Sequence, residues 1–526
     1  MKASDLLVEC LEVEGVEHVF GLPGEETEDL LFSLRDSDIE FIPVRHEQGA
    51  AFMADVHGRL TGDAGVCLST LGPGATNLIT GVADAHLDKS PTVAITSQAG
   101  RERLHKESHQ ALDIVEMFEP VTKWNAQIND PSIINESVRK AFKLAEFEKP
   151  GATHIEFPED VASEEVGERP MEPRQRVRRP DPDMASVERA KNLLEDAERP
   201  LIIAGNGAVR TDASERLRTL VDTTCIPVAA TYMGKGAVSD TNSCSLFTLD
   251  SGDHEEASDA IAKSDVLITV GFDIAEHDPG DWKIDDDTSI IHIDYEPAEV
   301  YDAYNPEVEI VSDISAAIRE LLKMELGEFD THWYTDLRDH LLSDVMKQPA
   351  ERHDLTVRGV LPVLREVMDD DDVLISDVGS HKMEIAQNYP TYEPNTCIIS
   401  NGLASMGIAV PGGIAADLAV DSNVVAATGD GGFLMNSSEL ETAQRLGCSY
   451  TVLLFNDNDY GLISEKQNRH RGEDFGTRIG NPDFVEYAES FGIEAYRPER
   501  WDDVEPMLQE AVESDEMSLV EIRLED

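Results

Sequence analysis

An apolar run at residues 424–428 ends on Gly429-Asp430-Gly431-Gly432, and a second, at 451–455, ends on Asn456-Asp457-Asn458-Asp459. Each run has the composition of a buried strand, and the residues between them have the apolar spacing of a helix. The 27 residues from Asp430 to Asp457 are enough for one such crossover, which sets the second acid beside the first. Paired carboxylate oxygens at neighbouring strand ends, with glycine N–H groups next to them, suit an octahedral Mg²⁺ bridging to a diphosphate. Taken singly, Gly-Asp-Gly is a common tight turn and Asn-Asp-Asn-Asp a common solvated loop. It is the spacing that joins them into a candidate site.

Such a pair needs a parallel sheet to align it, and the strand-helix rhythm supplies one along the whole chain. VEHVFG, IEFIPV, AGVCLST and PTVAITS read as strands, and EETEDLLFSL, HEQGAAFMADVHGRL and GATNLITGVADAH as helices between them. A first helix is expected from a Ser4 cap to a stop at Gly15. The proline-rich stretch 166–184 is expected to link this first domain, 1–165, to a second, 185–326, and a polar stretch at 327–355 to link that to a third, 356–526. The fold class is therefore α/β, with three doubly wound parallel-sheet domains, and ligands are expected at the carboxyl ends of the strands.

Composition narrows the partners. The 526 residues include 43 basic and 105 acidic ones, a net charge of −62, which repels nucleic acid and anionic lipid. Only 15 of the cations are Lys, against 28 Arg. An acidic, Lys-poor surface keeps a protein hydrated at molar salt, where the Debye length is about 3 Å, so the composition resembles that of a halophile's cytosolic protein. The six cysteines show no metal-ligand spacing and are expected as reduced thiols. No apolar run is long enough for a membrane span, and residues 1–20 lack the core of a signal peptide, so a cytoplasmic location is expected.

The Gly-Asp-Gly and Asn-Asp-Asn-Asp pair resembles the thiamine diphosphate signature, and nearly the whole chain is similar to the acetolactate synthase family. ISNGLASMGIAVPGG, IIHIDYEPAEV and DVGSHKMEIAQNYPTYEP look most like its catabolic, flavin-independent branch. The resemblance implies a pyrimidine-binding, a central Rossmann-like and a diphosphate-binding domain, with thiamine diphosphate and Mg²⁺ as cofactors. It also implies a homodimer or homotetramer with active sites at the subunit interface, and it leaves room for a regulatory subunit. The implied reaction decarboxylates pyruvate and condenses the two-carbon unit with a second 2-oxo acid to 2-acetolactate. The alternatives are another thiamine diphosphate-dependent decarboxylase or lyase, and a non-catalytic nucleotide-binding paralogue.

Residue by residue, the family's catalytic Glu falls at Glu47, in RHEQGAA, where it would bond the cofactor's aminopyrimidine. GPGATN places Gly72 and Asn77 beside the same ring. Gly379, Ser380 and His381 match the diphosphate-holding turn, with Gly429, Asp430, Gly431 and Gly432; Asp430, Asp457 and Asp459 are the expected metal ligands. Met406 matches the apolar residue that bends the cofactor, and Ala404 the position whose backbone carbonyl accepts from its amine. Gln98, His109 and Gln110 match substrate-pocket positions, with Gln110 also taken as catalytic. Tyr232 matches the pocket Tyr of the catabolic branch. Lys466 stands where anabolic relatives have a Trp, and Glu26 where the catabolic branch has Lys. GFDIAEHDPGDW lacks the Arg-containing segment of flavin-binding relatives, so an FAD site, if retained, is expected to be vestigial and not required.

Overall fold

The computed structural model describes residues 1–249, 256–282, 284–285, 287–345 and 355–524. Three six-stranded parallel sheets succeed one another along the chain. The first contains β1 (His18–Gly21), β2 (Glu40–Pro43), β3 (Gly65–Ser69), β4 (Thr92–Gln98), β5 (Trp124–Gln127) and β6 (Ala152–Pro158), in the order β2-β1-β3-β4-β6-β5. Every residue of β3, β4 and β6 is buried, as expected of parallel strands covered by helices on both faces.

The second sheet contains β7 (Pro200–Ala204), β8 (Val228–Ala230), β9 (Ser245–Thr248), β10 (Val266–Val270), β11 (Ser289–Asp294) and β12 (Val308–Val311), ordered β12-β11-β10-β7-β8-β9. The third contains β13 (Val373–Ser376), β14 (Cys397–Ile399), β15 (Val424–Gly429), β16 (Thr451–Asn456), β17 (Glu494–Tyr496) and β18 (Ser518–Arg523), ordered β14-β13-β15-β16-β18-β17.

One apolar core serves the first and third sheets together. Phe52 and Val56 of the Glu47–Thr61 helix pack in it with Ile408, Ala409 and Ile414 around the Ala409–Ala419 helix. The central sheet has cores of its own. The residues at 166–184 that precede and enter the Met184–Asp196 helix carry a strap pinned by arginines: Arg174 to Glu14, Arg176 to Asp63, Arg179 to Asp313.

Two expectations need correction. The first helix runs Ala3–Glu14 with Lys2 as its cap, and Ser4 is buried inside it, accepting from the Ser33 hydroxyl; Gly15 does end it, at φ 91°. The stretch 327–355 is not all linker. A helix, His332–Val345, buries Tyr334 against the central domain, and Arg338 lies over the Phe247 ring at 4.3 Å. Acids interleaved with Trp333, Tyr334, Leu337 and Leu341 mask its apolar face in the sequence. Residues 346–354 of that stretch lie outside the described residues.

All six cysteines are free thiols. No helix among the described residues is long and apolar enough to cross a membrane.

Candidate active site

Because β13, β15 and β16 are adjacent and parallel, the turns that follow them open on one edge of the third sheet. With the start of the Gly461–Arg471 helix, these turns enclose a cavity of about 180 Å³. The sequence-predicted Gly379, Ser380, His381, Ala404, Met406, Gly429, Asp430, Gly431, Gly432, Asp457 and Asp459 all line it. Packing is close: a Cβ on Gly461 would stand 2.8 Å from Asp457 Oδ2 and 3.1 Å from Ser380 Oγ. The His381 ring fills the space between Gly379 and Gly429, and burial pushes its pKa down to about 4, which keeps it neutral.

The cavity is short of positive charge. Asp430 is 2% exposed and its pKa is raised by burial. Asp457 is pushed up to about 6 by burial, with the charges of Asp430 and Asp459 adding to the effect. Asp459 Oδ1, Asn481 Oδ1 and His381 Nε2 are buried with no hydrogen-bond partner. Carboxylates in this state suit an incoming cation. The three expected ligands, Asp430, Asp457 and Asp459, all line the cavity without closing on one point. No three His, Cys, Asp or Glu side chains among the described residues converge on a metal position. Asp459 turns Oδ2 toward Arg478, 3.8 Å away, while its N–H donates to Asp457 Oδ1 at 2.9 Å. Mg²⁺ needs only one or two carboxylates when phosphate oxygens and water complete its octahedron.

Sequence reasoning missed two side chains here. Asn481 donates to Asp430 Oδ2 at 2.5 Å and to Asn456 Oδ1 at 3.1 Å. It stands in an irregular segment more than twenty residues past the strand ends, where nothing in the sequence marks it. Asp377 is fully buried and accepts from the N–H groups of Gly407 and Val378, both at 2.7 Å, and from the Thr428 hydroxyl. It thereby ties the Ala404–Gly407 turn to the glycine turn after β15; a polar residue closing a buried strand was its available signal. Ala404 adopts φ 55°, so its role is set by backbone shape.

The second group lies on the first domain. Glu47, 4% exposed, opens the Glu47–Thr61 helix, and Asn77 donates to its Oε2 at 2.9 Å. Gly72, at φ 55°, starts the Pro73–Leu87 helix with its Cα against the Gln110 carbonyl; a Cβ would stand 2.7 Å from that oxygen. His109 and Gln110 present exposed side chains. Gln98 is buried and engaged, donating to Leu112 O and to Glu156, so it props the 108–112 segment. Glu26 accepts from the Thr70 hydroxyl at 2.9 Å.

Two expected pocket residues stand elsewhere. Tyr232 is buried in the apolar cluster with Leu361 and Tyr389, with Lys382 Nζ 6.0 Å from its ring centre. Lys466 is exposed, and the same helix lines the cavity with Leu462 and Ile463.

The corresponding edge of the central sheet carries its own ion pairs around a cavity of about 390 Å³ lined by Lys149, Asn206, Asp273 and Glu276. Lys149 pairs with Asp273 and, at 3.1 Å, with Asp294; Arg210 donates to Glu148 at 3.0 and 2.7 Å. Glu276, pushed up to about 8 by burial with Asp273 nearby, accepts from Asn206 N–H at 2.9 Å and from the Thr231 hydroxyl at 2.5 Å. The Gly205-Asn206-Gly207 turn packs on Gly271, where a Cβ on Gly205 would meet the Gly271 carbonyl at 2.5 Å. The Asn206 N–H of this turn is thus already donated to Glu276.

Comparison with known proteins assigns the chain. Models of the thiamine pyrophosphate enzymes match in all three domains: the N-terminal TPP binding domain at residues 1–117, the central domain at 187–321 and the C-terminal TPP binding domain at 377–522. A probable acetolactate synthase large subunit of Methanocaldococcus jannaschii is 34% identical over 99% of this chain and 92% of its own length. The acetolactate synthase of Bacillus subtilis is 33% identical over 99% and 93%. The catabolic acetolactate synthase of Raoultella terrigena is 32% identical over 99% and 94%. With three parallel-sheet domains, Glu47 braced by Asn77 on the first and a cation-seeking glycine-lined cavity on the third, this chain belongs to the acetolactate synthase family of thiamine pyrophosphate enzymes.

Proposed function

We propose that the chain is a carboligase that decarboxylates pyruvate and joins the remaining two-carbon unit to a second 2-oxo acid, giving 2-acetolactate from two pyruvates with loss of CO₂. The observation that carries this is that both halves of the machinery are intact: the Glu47–Asn77 pair, and the cavity with Asp430 and Asp457. Thiamine diphosphate, when bound, supplies the electron sink that makes loss of CO₂ feasible. Asp430 and Asp457 would hold Mg²⁺ against its diphosphate, with Gly379, Ser380 and the Gly429–Gly432 turn packed around it. Glu47 would bond the pyrimidine ring and set its proton, with Asn77 fixing the carboxylate.

The lining of the cavity includes neither Glu47 nor Asn77 of the same chain. Leu403, Leu434, Met435, Leu462 and Ile463 on and beside the diphosphate half are 38–49% exposed. A second copy presenting its Glu47 face there would cover them and complete a site, so the working unit is a homodimer or a pair of them. Flavin is not required, a reading supported by GFDIAEHDPGDW, which lacks an Arg-containing segment. Operation at molar salt fits the net charge of −62.

The test is incubation with pyruvate, thiamine diphosphate and Mg²⁺ in high KCl, with products read by mass spectrometry. 2-Acetolactate is expected; acetaldehyde as the main product would replace carboligation with simple decarboxylation.

A further inference from the structure

The Glu47–Thr61 and Pro73–Leu87 helices each begin at the pyrimidine half and end against the third domain of the same chain. Arg59, in the last turn of the first helix and about 18 Å along it from Glu47, donates to Asp55 at 2.8 Å, to Asp88, and through Nη1 to the Ile399 carbonyl at 2.9 Å. Asp84, in the last turn of the second helix, accepts from the Ser400 hydroxyl at 2.8 Å and from Ser405 N–H at 3.4 Å. Asp88, the residue that caps that helix, accepts from Asn401 N–H at 3.0 Å and from Gly402 N–H. Lys382 closes the cluster by donating to the Ser400 carbonyl at 2.8 Å. Asp55 and Asp84 are fully buried and Asp88 4% exposed. Every bond to the third domain falls on residues 399–405, which run directly into Met406.

The other end is tied as well. Glu439, fully buried, accepts from the N–H groups of Arg45 and His46, each at 3.0 Å, immediately before Glu47. It lies in the turn after the Asp430–Asn436 helix. The helix pair is therefore clamped at one end to the helix that starts with Asp430 and at the other to the loop that carries Ala404 and Met406.

We propose that Asp84, Asp88 and Arg59 are positioning residues that couple the two half-sites of a chain, so that a change at the 399–406 loop is felt at Glu47 of the same subunit. This rests on the interface reading above, in which those two halves serve different cofactors. Through the clamp, the state of one active site would bias the geometry of the other.

Mixed dimers test it. One chain carries Glu47→Gln and the other Asp430→Ala, so that mixing leaves a single intact composite site: its Glu47 comes from the second chain and its Met406 from the first. Failure to regain activity on mixing sinks the interface reading, and the coupling with it. Given recovery, Asp84→Ala is placed in either chain. Coupling predicts a fall in kcat of about tenfold from both placements with KM for pyruvate within about twofold, since small misplacements of reacting groups are costly. Asp84→Asn, which keeps an acceptor oxygen for Ser400 and Ser405, should restore most of the rate in both. An unchanged kcat when Asp84→Ala sits only on the chain supplying Glu47 would show a merely local role and overturn the proposal. Should Asp84→Ala fail to assemble, Ser400→Ala removes one bond of the same joint and is read in the same two placements.

Discussion

The central and third sheets each place acids at adjacent strand ends beside a glycine turn, yet they settle the charge in opposite ways. At the central edge Asp273, Asp294 and Glu148 meet Lys149 and Arg210, and Glu276 takes the open turn N–H. At the third edge burial raises both Asp430 and Asp457, the charges of Asp430 and Asp459 adding to the effect at Asp457, and no lysine or arginine lines the cavity. A buried charge must be neutralised by a partner, by a proton or by a ligand. The central edge meets Asp273, Asp294 and Glu148 with its own cations and leaves Glu276 to a proton; the third is left for a cation, which is where a diphosphate can then be held. Motif spacing singles out the third edge alone, through Asp430 and Asp457, and the difference lies in which cations the rest of the chain delivers.

The comparison breaks most visibly at Asp430. Asp430→Ala should abolish metal-dependent thiamine diphosphate binding in calorimetry, because the remaining carboxylate leaves Mg²⁺ without its second protein anchor. Unchanged affinity would mean that the cation is held elsewhere. Glu47→Gln, on the other half-site, should leave binding in place and slow proton exchange at the bound cofactor by about 10²-fold, the usual scale for a positioned acid or base.

Stability should respond with opposite signs at the two edges. Lys149→Met strands Asp273 and Asp294 in a buried place, a loss on the order of 3–5 kcal/mol, seen as a lower urea midpoint for the metal-free protein. Asp430→Asn removes a repelling charge from a cavity that lacks a cation and should raise that midpoint slightly. Two losses of similar size would erase the distinction drawn here.

The same contrast has a pH signature. Asp457 has a folded pKa of about 6, above the ~3.9 of an unfolded Asp, so the folded state holds its proton more tightly. Its contribution is full below pH ~4 and is lost as pH rises through about 6. Metal-free protein should therefore show a component of its melting temperature that falls over this window, and Mg²⁺ should cancel the fall. A component that rises instead would place the uncompensated charge outside this pair. His154 works in the other direction. Buried, stacked on Phe118 at 4.0 Å and pushed down to about 3, it stays neutral when folded, so its share is lost as pH drops below ~6.5. The two windows separate in a His154→Gln variant.

How much of this was legible beforehand follows the same line. Asp430, Asp457 and the glycine turns were readable because they sit where a strand or helix begins or ends, and element boundaries leave marks in a sequence, whereas Met406 and Glu47 were placed by the family resemblance. The three parallel sheets were readable from unbroken apolar runs. Asn481, Asp377 and Glu439 were not singled out, since their partners are backbone groups or side chains on other elements, and hydrogen bonds across long separations have no local signature. The His332–Val345 helix was hidden because an acid-rich surface, suited to salt, dilutes the apolar stripe that announces a helix. Lys466 and Tyr232 were placed by resemblance to relatives, and how far a side chain stands from the cavity, one helical turn beyond Leu462 for Lys466, is invisible at that level.

The smallest expected effect concerns the acceptor. An apolar wall that contacts the extra methylene of 2-oxobutyrate is worth about 1–3 kcal/mol, or roughly 10–200-fold in preference over pyruvate. In this chain Lys466 is exposed, and the helix offers the cavity Leu462 and Ile463, each 39–49% exposed before a second copy covers them. Branched side chains at an open rim grip one methylene less than an aromatic wall does. Offered both acceptors, the protein should favour 2-oxobutyrate by less than about tenfold. Ile463→Ala should shift the product ratio by a few-fold toward 2-acetolactate, whereas Lys466→Ala should leave it within about twofold. If Lys466→Ala moves the ratio more than Ile463→Ala, the cation reaches the acceptor after all, and the mouth of the third crevice is polar where its apolar rim says it is not.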